Sequence, residues 1–327
     1  MAVSQCTRQG NSDIYGLGIR IGLYLQWIAT VIATAFVPDQ MLETTTANTV
    51  FVIAFSVVTF ALCGAAADTP AADMVIVLDI YAVSIYALYP LSWMGRRFVP
   101  SRSDFRQSSA LGELIKAVLT NCMAVVNVWF WFRGIDGFAS SPCGTTVTFV
   151  FAKLDVDGHA VRTVFRVMSC LLLYFSVWCT LALVVLLLVV APATTVYILC
   201  RKKTLRSVVR FYRSQSRNES RVRTFRRVLA AADTVVFALA IVDIELTIAW
   251  NSISSVYDLR STGQIILLVI GIATMLNLLW SAALAGLKDN AKEETKAVKA
   301  GKHTTRLAQL SREIVLTNPA TIPQKQK

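Results

Sequence analysis

The sequence predicts an all-α membrane protein, a polytopic helix bundle with about seven transmembrane helices. Hydrophobic residues make up 55% of the 327-residue chain and charged residues only 16%, which is far from the balance of a soluble domain. The net charge of +12 comes from basic residues gathered in a few loops and in the C-terminal region, between long apolar segments. That placement indicates contact with a membrane surface and argues against nucleic-acid binding.

Seven segments are long and apolar enough to cross a bilayer. A spanning helix needs about 20 mostly apolar residues, because the hydrocarbon core is about 30 Å thick. The segments are 14–37, 49–67, 71–91, 110–132, 167–199, 228–250 and 264–287. The fifth is longer than a bilayer requires and contains Pro192, so we expect it to kink there or to continue into the next loop. Residues 1–287 then form the transmembrane domain, and 288–327 form a charged cytosolic tail.

The distribution of lysine and arginine predicts the orientation. Most of the 32 basic residues lie in the loops after helices one, three and five and in the C-terminal tail. We expect this face to be cytosolic, with the N-terminus and the loops after helices two, four and six outside. The expected location is the plasma membrane or another membrane of the secretory pathway.

The outer loop after helix four is predicted to carry a small extracellular β-hairpin. Residues 146–151 alternate polar and apolar side chains, and Asp157-Gly158 is a favoured two-residue turn before a second strand at 160–164. Cys143 precedes this hairpin, and Cys6 lies in the N-terminal segment on the same oxidising side. These cysteines are either joined in a disulfide or present as two free thiols.

Four ionisable residues fall inside predicted helices at a similar depth: Arg20, Asp79, Asp243 and Glu245. At about 1.5 Å per residue, they lie roughly 8 to 12 Å below the outer boundary. One interpretation is a polar cluster in which Arg20 neutralises one of the carboxylates, with Asp79 and Asp243 as the partners to test, and the others face an outward cavity that serves as a ligand or ion pathway. The alternative is that Arg20 extends to the headgroups while the carboxylates make structural hydrogen bonds.

The loop 201–227 holds eleven basic residues interleaved with apolar ones. It is expected to lie along the cytosolic leaflet and bind anionic lipids. The candidate lipid-binding residues are Arg201, Lys202, Lys203, Arg206, Arg210, Arg221, Arg223, Arg226 and Arg227. Ser216 and Ser220 each follow an arginine by three residues, and their phosphorylation would weaken this attachment. The alternative is a loop that only fixes topology.

Two local features of the predicted helices concern packing. Gly18 and Gly22 form a GxxxG step in the first helix, which allows close helix approach either within the bundle or in a dimer. Glu113 and Lys116 are spaced to pair on one face of helix four.

No enzyme chemistry, metal site or cofactor is predicted. Seven scattered cysteines and two histidines, His159 and His303, give no metal-ligand spacing. Phosphate-loop, nucleophile-elbow and HExxH motifs are absent, and the last predicted helix has no lysine for a retinal Schiff base.

Four stretches carry a resemblance to a known group of proteins. They are DIYGLGIRIGLYLQW at 13–27, FVFAKLD at 149–155, WNSISSVY at 250–257 and STGQ at 261–264. Together they resemble an uncharacterised family of multi-pass membrane proteins of filamentous fungi. The resemblance implies a fungal membrane as the setting and no established activity.

Three functions are compatible with these features. The first is a seven-helix receptor-like sensor whose outer loops shape a ligand entrance and whose basic regions meet a cytosolic signalling partner. The second is an ion channel or ion-coupled transporter that uses the intramembrane carboxylates. The third is a membrane scaffold or a lipid-handling protein. The oligomeric state is left open.

Overall fold

A computed structural model describes most of the chain and is predominantly helical. The described residues are 7–37, 40–91, 110–139, 144–149, 152–185, 188–189, 219–259 and 261–287. The helices are α1 (Ser12–Tyr15), α2 (Leu17–Phe36), α3 (Met41–Gly64), α4 (Ala71–Leu88), α5 (Ala110–Phe132), α6 (His159–Val185), α7 (Glu219–Trp250) and α8 (Thr262–Leu287). The strands are β1 (Arg8–Gln9), β2 (Thr146–Phe149), β3 (Ala152–Asp155) and β4 (Ile253–Ser254).

Six helical segments of the described chain are long and apolar enough to cross a membrane. They are Ser12–Phe36, Met41–Gly64, Ala71–Leu88, Leu111–Phe132, His159–Val185 and Thr262–Leu287. Six of the seven predicted segments are therefore confirmed as helices that could span a membrane by length and composition. The remaining long helix, α7, packs against α2 and α4. Its role as a seventh span stays a prediction.

Three helices begin two turns or more before the predicted residue. α3 begins at Met41 rather than at 49, because the hydroxyls of Thr44, Thr45 and Thr46 bond to carbonyls one turn back and need no water. α6 begins at His159 rather than at 167, and α7 at Glu219 rather than at 228. Part of the predicted loop 201–227 is therefore helical. The predicted kink at Pro192 lies outside the described residues.

α4 is the central helix of the bundle. It is bounded by Pro70 and Pro90, which limit helix extension at the two ends, and it packs against α2, α3 and α7. The share of buried residues in its apolar stretch is 72%, against 11% for α6. Side chains on α4 are thus surrounded by protein, whereas much of the α6 surface is free to face lipid.

The GxxxG step of α2, Gly18 and Gly22, packs against α8. This agrees with the first of the two predicted alternatives, close helix approach within the bundle. A Cβ on Gly22 would lie 2.5 Å from the Leu267 carbonyl oxygen, and a Cβ on Gly271 would lie 2.7 Å from the Gly22 carbonyl oxygen. The two backbones approach so closely that a larger side chain at Gly22 or Gly271 would force them apart.

One end of the bundle is closed by four connected segments, which we call the capped end: 7–16, 65–70, 133–158 and 251–261. β1 pairs in parallel with β4, and Pro70 forms a β-bridge with Ala139. The Thr146 N–H donates to Asn251 Oδ1 at 3.0 Å, and Asn251 Nδ2 donates to the Thr146 carbonyl at 2.6 Å. Within these ranges, the capped end comprises only the described residues, 7–16, 65–70, 133–139, 144–149, 152–158, 251–259 and 261. They belong to the N-terminus and the loops predicted to share one face of the membrane.

The hairpin after α5 is present, but its second strand is not the predicted one. β2 pairs antiparallel with β3, from Thr146 with Asp155 to Phe149 with Ala152. The predicted second strand, 160–164, is the first part of α6. The turn at Asp157-Gly158 leads into a helix and not into a strand. The Asp157 N–H donates to Asp155 Oδ1, which forms the turn, and the Arg162 N–H donates to the Gly158 carbonyl, which starts the helical hydrogen bonding.

The chain divides into two compact units, Met1–Leu278 and Leu279–Lys327. The first contains the bundle and the capped end. The described part of the second is residues 279–287, which are helical. The predicted division into a transmembrane domain over 1–287 and a tail over 288–327 stays a prediction.

Candidate functional site

The centre of the site is a buried ion pair between α2 and α7. Arg20 is fully buried, and its Nε lies 2.9 Å from Glu245 Oε1, an ion-pair contact without the alignment of a hydrogen bond. The Tyr24 hydroxyl donates to the same Glu245 oxygen at 2.9 Å. On the other side, Arg20 Nη1 donates to the Tyr15 carbonyl at 3.1 Å, and the guanidinium lies 5.2 Å from the centre of the Tyr257 ring. Arg20 is thus held in place from both sides.

Arg20 does pair with a carboxylate of the predicted cluster, but the partner is Glu245 and neither Asp79 nor Asp243, the two partners expected from the sequence. Residues two apart on a helix project about 200° from one another, so Asp243 and Glu245 face different neighbours. Glu245 faces Arg20 on α2, whereas Asp243 interacts with Asp79 on α4. The alternative that Arg20 extends to the headgroups is also wrong, because its side chain has no exposed surface.

Asp79 and Asp243 form the second part of the site. Asp79 lies midway along α4, and both residues are half-buried. Their carboxyl groups are close enough for the two like charges to interact electrostatically. Among the described residues, neither carboxyl group has a cationic partner or a hydrogen bond. Two acidic groups on neighbouring helices therefore interact electrostatically, and no described residue neutralises them.

Two further carboxylates lie between α4 and its neighbours, one toward each end of the bundle. Toward the capped end, Asp73 Oδ1 accepts from Arg8 Nη2 at 2.5 Å and from the Tyr15 hydroxyl at 2.8 Å. Toward the other end, Asp233 Oδ1 accepts from the Tyr86 hydroxyl and, at 2.9 Å, from the Leu91 N–H. Carboxylates thus occur at three depths: Asp73, then Asp79 with Asp243, then Asp233.

Sequence reasoning missed Asp73, Asp233 and the three tyrosines that contact the carboxylates, Tyr15, Tyr24 and Tyr86. A signal was present for Asp73 and Asp233, since both are carboxylates inside predicted spans and such residues are costly unless they have a role. For the tyrosines the sequence offered no signal. Aromatic residues are common in membrane helices, and only the neighbouring helix decides whether a hydroxyl finds a carboxylate.

Most of the other predicted site residues lie outside the described part of the chain. These are Cys6, Cys143, Ser216, Arg201, Lys202, Lys203, Arg206 and Arg210. Ser220, Arg221, Arg223 and Arg226 belong to α7 by their backbone, and Arg227 on the same helix is exposed. The disulfide, phosphorylation and anionic-lipid hypotheses therefore stay predictions. The predicted pair of Glu113 and Lys116 is present, with Nζ 2.6 Å from Oε1.

The described residues contain no group of three histidine, cysteine, aspartate or glutamate side chains placed to hold a metal ion. The site is therefore built from two elements: a neutralised pair, Arg20 with Glu245, and a pair of carboxylates without a described cation, Asp79 with Asp243. No protein-family model, curated protein or solved structure matches the chain.

Proposed function

We propose that this chain is a seven-helix membrane protein that moves protons or small monovalent cations across the bilayer through Asp79 and Asp243. The observation that carries the proposal is the pairing of these two carboxylates between α4 and α7 without a described counter-charge. Acidic groups inside a membrane bundle are costly unless they have a partner or a task. Arg20 is paired with Glu245, and this pair stabilises the fold. Asp79 and Asp243 can therefore bind the transported ion.

The positions of the other carboxylates support a route along the α4–α7 interface. From Asp73 to Tyr86 on α4 is about 20 Å along the helix axis, which is a large part of the hydrocarbon thickness. Asp79 lies between them, and Asp233 contacts Tyr86. Intramembrane series of acidic groups and hydroxyls are the usual elements of proton relays. The route would run from Asp73 at the capped end, past Asp79 and Asp243, to Asp233.

The proposal is tested by flux through the purified protein in proteoliposomes. With a potassium diffusion potential, negative inside, and a pH-sensitive dye within the vesicles, we expect internal acidification that protein-free liposomes lack. A sodium-sensitive dye in place of the pH-sensitive dye tests whether sodium also moves. If neither protons nor sodium ions cross faster than in protein-free liposomes, the transport proposal is wrong.

A receptor-like sensor is the second candidate, and it is favoured by the order of the capped end. Four separate segments are joined there by β1–β4 pairing, the Pro70–Ala139 bridge and the bonds between Thr146 and Asn251. Such a platform is suited to binding a ligand outside the membrane. Ligand-dependent recruitment of a cytosolic partner without any ion flux would support the sensor over the transporter.

The seven-span topology belongs to the same proposal, with the capped end outside and the C-terminus in the cytosol. In a variant without the seven native cysteines, Ser254→Cys should react with an impermeant maleimide on intact cells. Ser254 is exposed at the capped end, so the reagent can reach it. Ser214→Cys, in the basic loop, should react only after permeabilisation. The opposite pattern of labelling would contradict the predicted orientation. Labelling of both residues on intact cells would contradict the prediction of seven membrane-spanning helices.

Membership of the fungal membrane-protein family and a setting in a fungal plasma or secretory-pathway membrane are parts of this proposal too. So is attachment of the basic loop to anionic lipids on the cytosolic leaflet. The exposure of Arg227 is compatible with such an attachment.

A further inference from the structure

Two helix N-termini meet at one point below the capped end. α2 begins after Gly16, which provides no side-chain cap, and α8 begins after Ser261. Gln264, in the first turn of α8, lies directly against Gly16: a Cβ built on Gly16 would be 2.6 Å from Gln264 Nε2. The first turns of two spanning helices are therefore in contact. Each helix N-terminus carries a partial charge of about +0.5, so the local field favours an anion.

Two buried donors at this point have no acceptor. Arg20 Nη2 and Gln264 Nε2 are buried without a hydrogen-bond partner in the described part of the chain, and both side chains have 0% exposed surface. Arg20 Nη1 donates to the carbonyl of Tyr15, the residue before Gly16. Both unpaired donors, Arg20 Nη2 and Gln264 Nε2, therefore belong to side chains that contact the start of α2. Buried donors are nearly always paired, so an acceptor is missing from this location.

The formal charges of the ion pair beside the two donors cancel. Glu245 Oε1 lies 2.9 Å from Arg20 Nε and accepts from the Tyr24 hydroxyl. Tyr257 places its ring beside the guanidinium, and its neighbour Asp258 is exposed. Arg20 and Glu245 cancel in formal charge, and the two helix N-termini add a net positive potential.

We propose that Arg20 and Gln264 bind a halide-sized anion, chloride in the cell, where the N-termini of α2 and α8 meet. The complete burial of both side chains excludes a bulky ligand. The anion would accept from Arg20 Nη2 and Gln264 Nε2 and would hold the first and last spanning helices together. This site is independent of the proposed cation route, since it uses neither Asp79 nor Asp243.

The test is thermal unfolding of the full-length protein in detergent, in sodium chloride or bromide against sodium gluconate at equal ionic strength. A ligand that binds only the folded state raises the unfolding temperature in a saturable way. We expect such a rise with chloride and bromide and none with gluconate. Gln264→Met keeps the side-chain length but removes the donor, and it should raise the half-saturating chloride concentration about tenfold.

Gln26→Met is the matched control. Gln26 is also fully buried, but its Nε2 already donates to Thr274 Oγ1 at 2.9 Å, and it lies further along α2. This change should lower stability without changing the half-saturating chloride concentration. Equal stabilisation by chloride and gluconate would mean that water alone fills the site, and an unchanged chloride response in Gln264→Met would also overturn the proposal.

A second measurement does not depend on a variant that folds. Crystals of the unmodified protein grown in bromide should show an anomalous scattering peak in contact with Arg20 Nη2 and Gln264 Nε2. Absence of that peak at saturating bromide would overturn the proposal.

Discussion

Glu245→Gln should remove most of the folded protein recovered in detergent, and Arg20→Gln introduced into the same chain should restore much of it. Glu245→Gln leaves a guanidinium without its counter-charge in a site that has no exposed surface. Breaking a buried ion pair in this way costs about 3–5 kcal/mol, whereas removing both charges is far less costly. The measurement is the monodisperse fraction in size-exclusion chromatography, in chloride-free buffer so that no halide replaces the lost carboxylate.

The two single variants should differ, and this asymmetry is specific to the observed geometry. Arg20→Gln leaves Glu245 without its cation, but that side chain is 36% exposed and keeps the Tyr24 hydroxyl as a donor. Its loss of folded protein should therefore be smaller than that of Glu245→Gln. Asp243→Asn is the matched control and should not rescue Arg20→Gln. Rescue by Asp243→Asn, or equal and additive losses in the double variant, would contradict the assignment of Glu245 as the partner.

Asp79→Asn and Asp243→Asn should each reduce proton or cation flux in proteoliposomes at least about tenfold while leaving the folded yield unchanged or higher. Asparagine has a similar shape but cannot take up and release a proton, so a relay through that position is interrupted. The yield should not fall, because neither carboxyl group has a cationic partner among the described residues and each change removes a repulsion between like charges.

Asp13→Asn serves as the control for this flux experiment. Asp13 is an exposed carboxylate at the start of α1, outside the proposed route, so flux should be unaffected. Asp79→Glu keeps the acidic group and should retain part of the activity. Undiminished flux in the Asp79→Asn and Asp243→Asn double variant would exclude these residues from the route, even if the protein proves to be a transporter.

The hairpin is a good example of what the sequence pattern could and could not determine. The alternation from Thr146 predicted a strand in the right place, and Asp157-Gly158 predicted a turn. Both features are present, but the turn leads into α6 rather than into a second strand. An Asp-Gly pair is compatible with a hairpin turn and with the start of a helix. In both, the short aspartate side chain accepts a backbone hydrogen bond, and the glycine that follows has no Cβ. Here β3 supplies the partner strand from residues before the turn.

The helices and the site were determined to different degrees by the sequence alone. The six apolar helices could be predicted because length and hydropathy are local properties and the bilayer demands about 20 apolar residues wherever the chain crosses it. The presence of Arg20, Asp79, Asp243 and Glu245 inside helices could be predicted for the same reason. Which of them pair could not, since helix rotation about its own axis is set by packing against its neighbours. In the folded chain, packing of α7 against both α2 and α4 directs Glu245 to Arg20 and Asp243 to Asp79. The tertiary structure alone thereby separates the neutralised pair from the two carboxylates without a described cation.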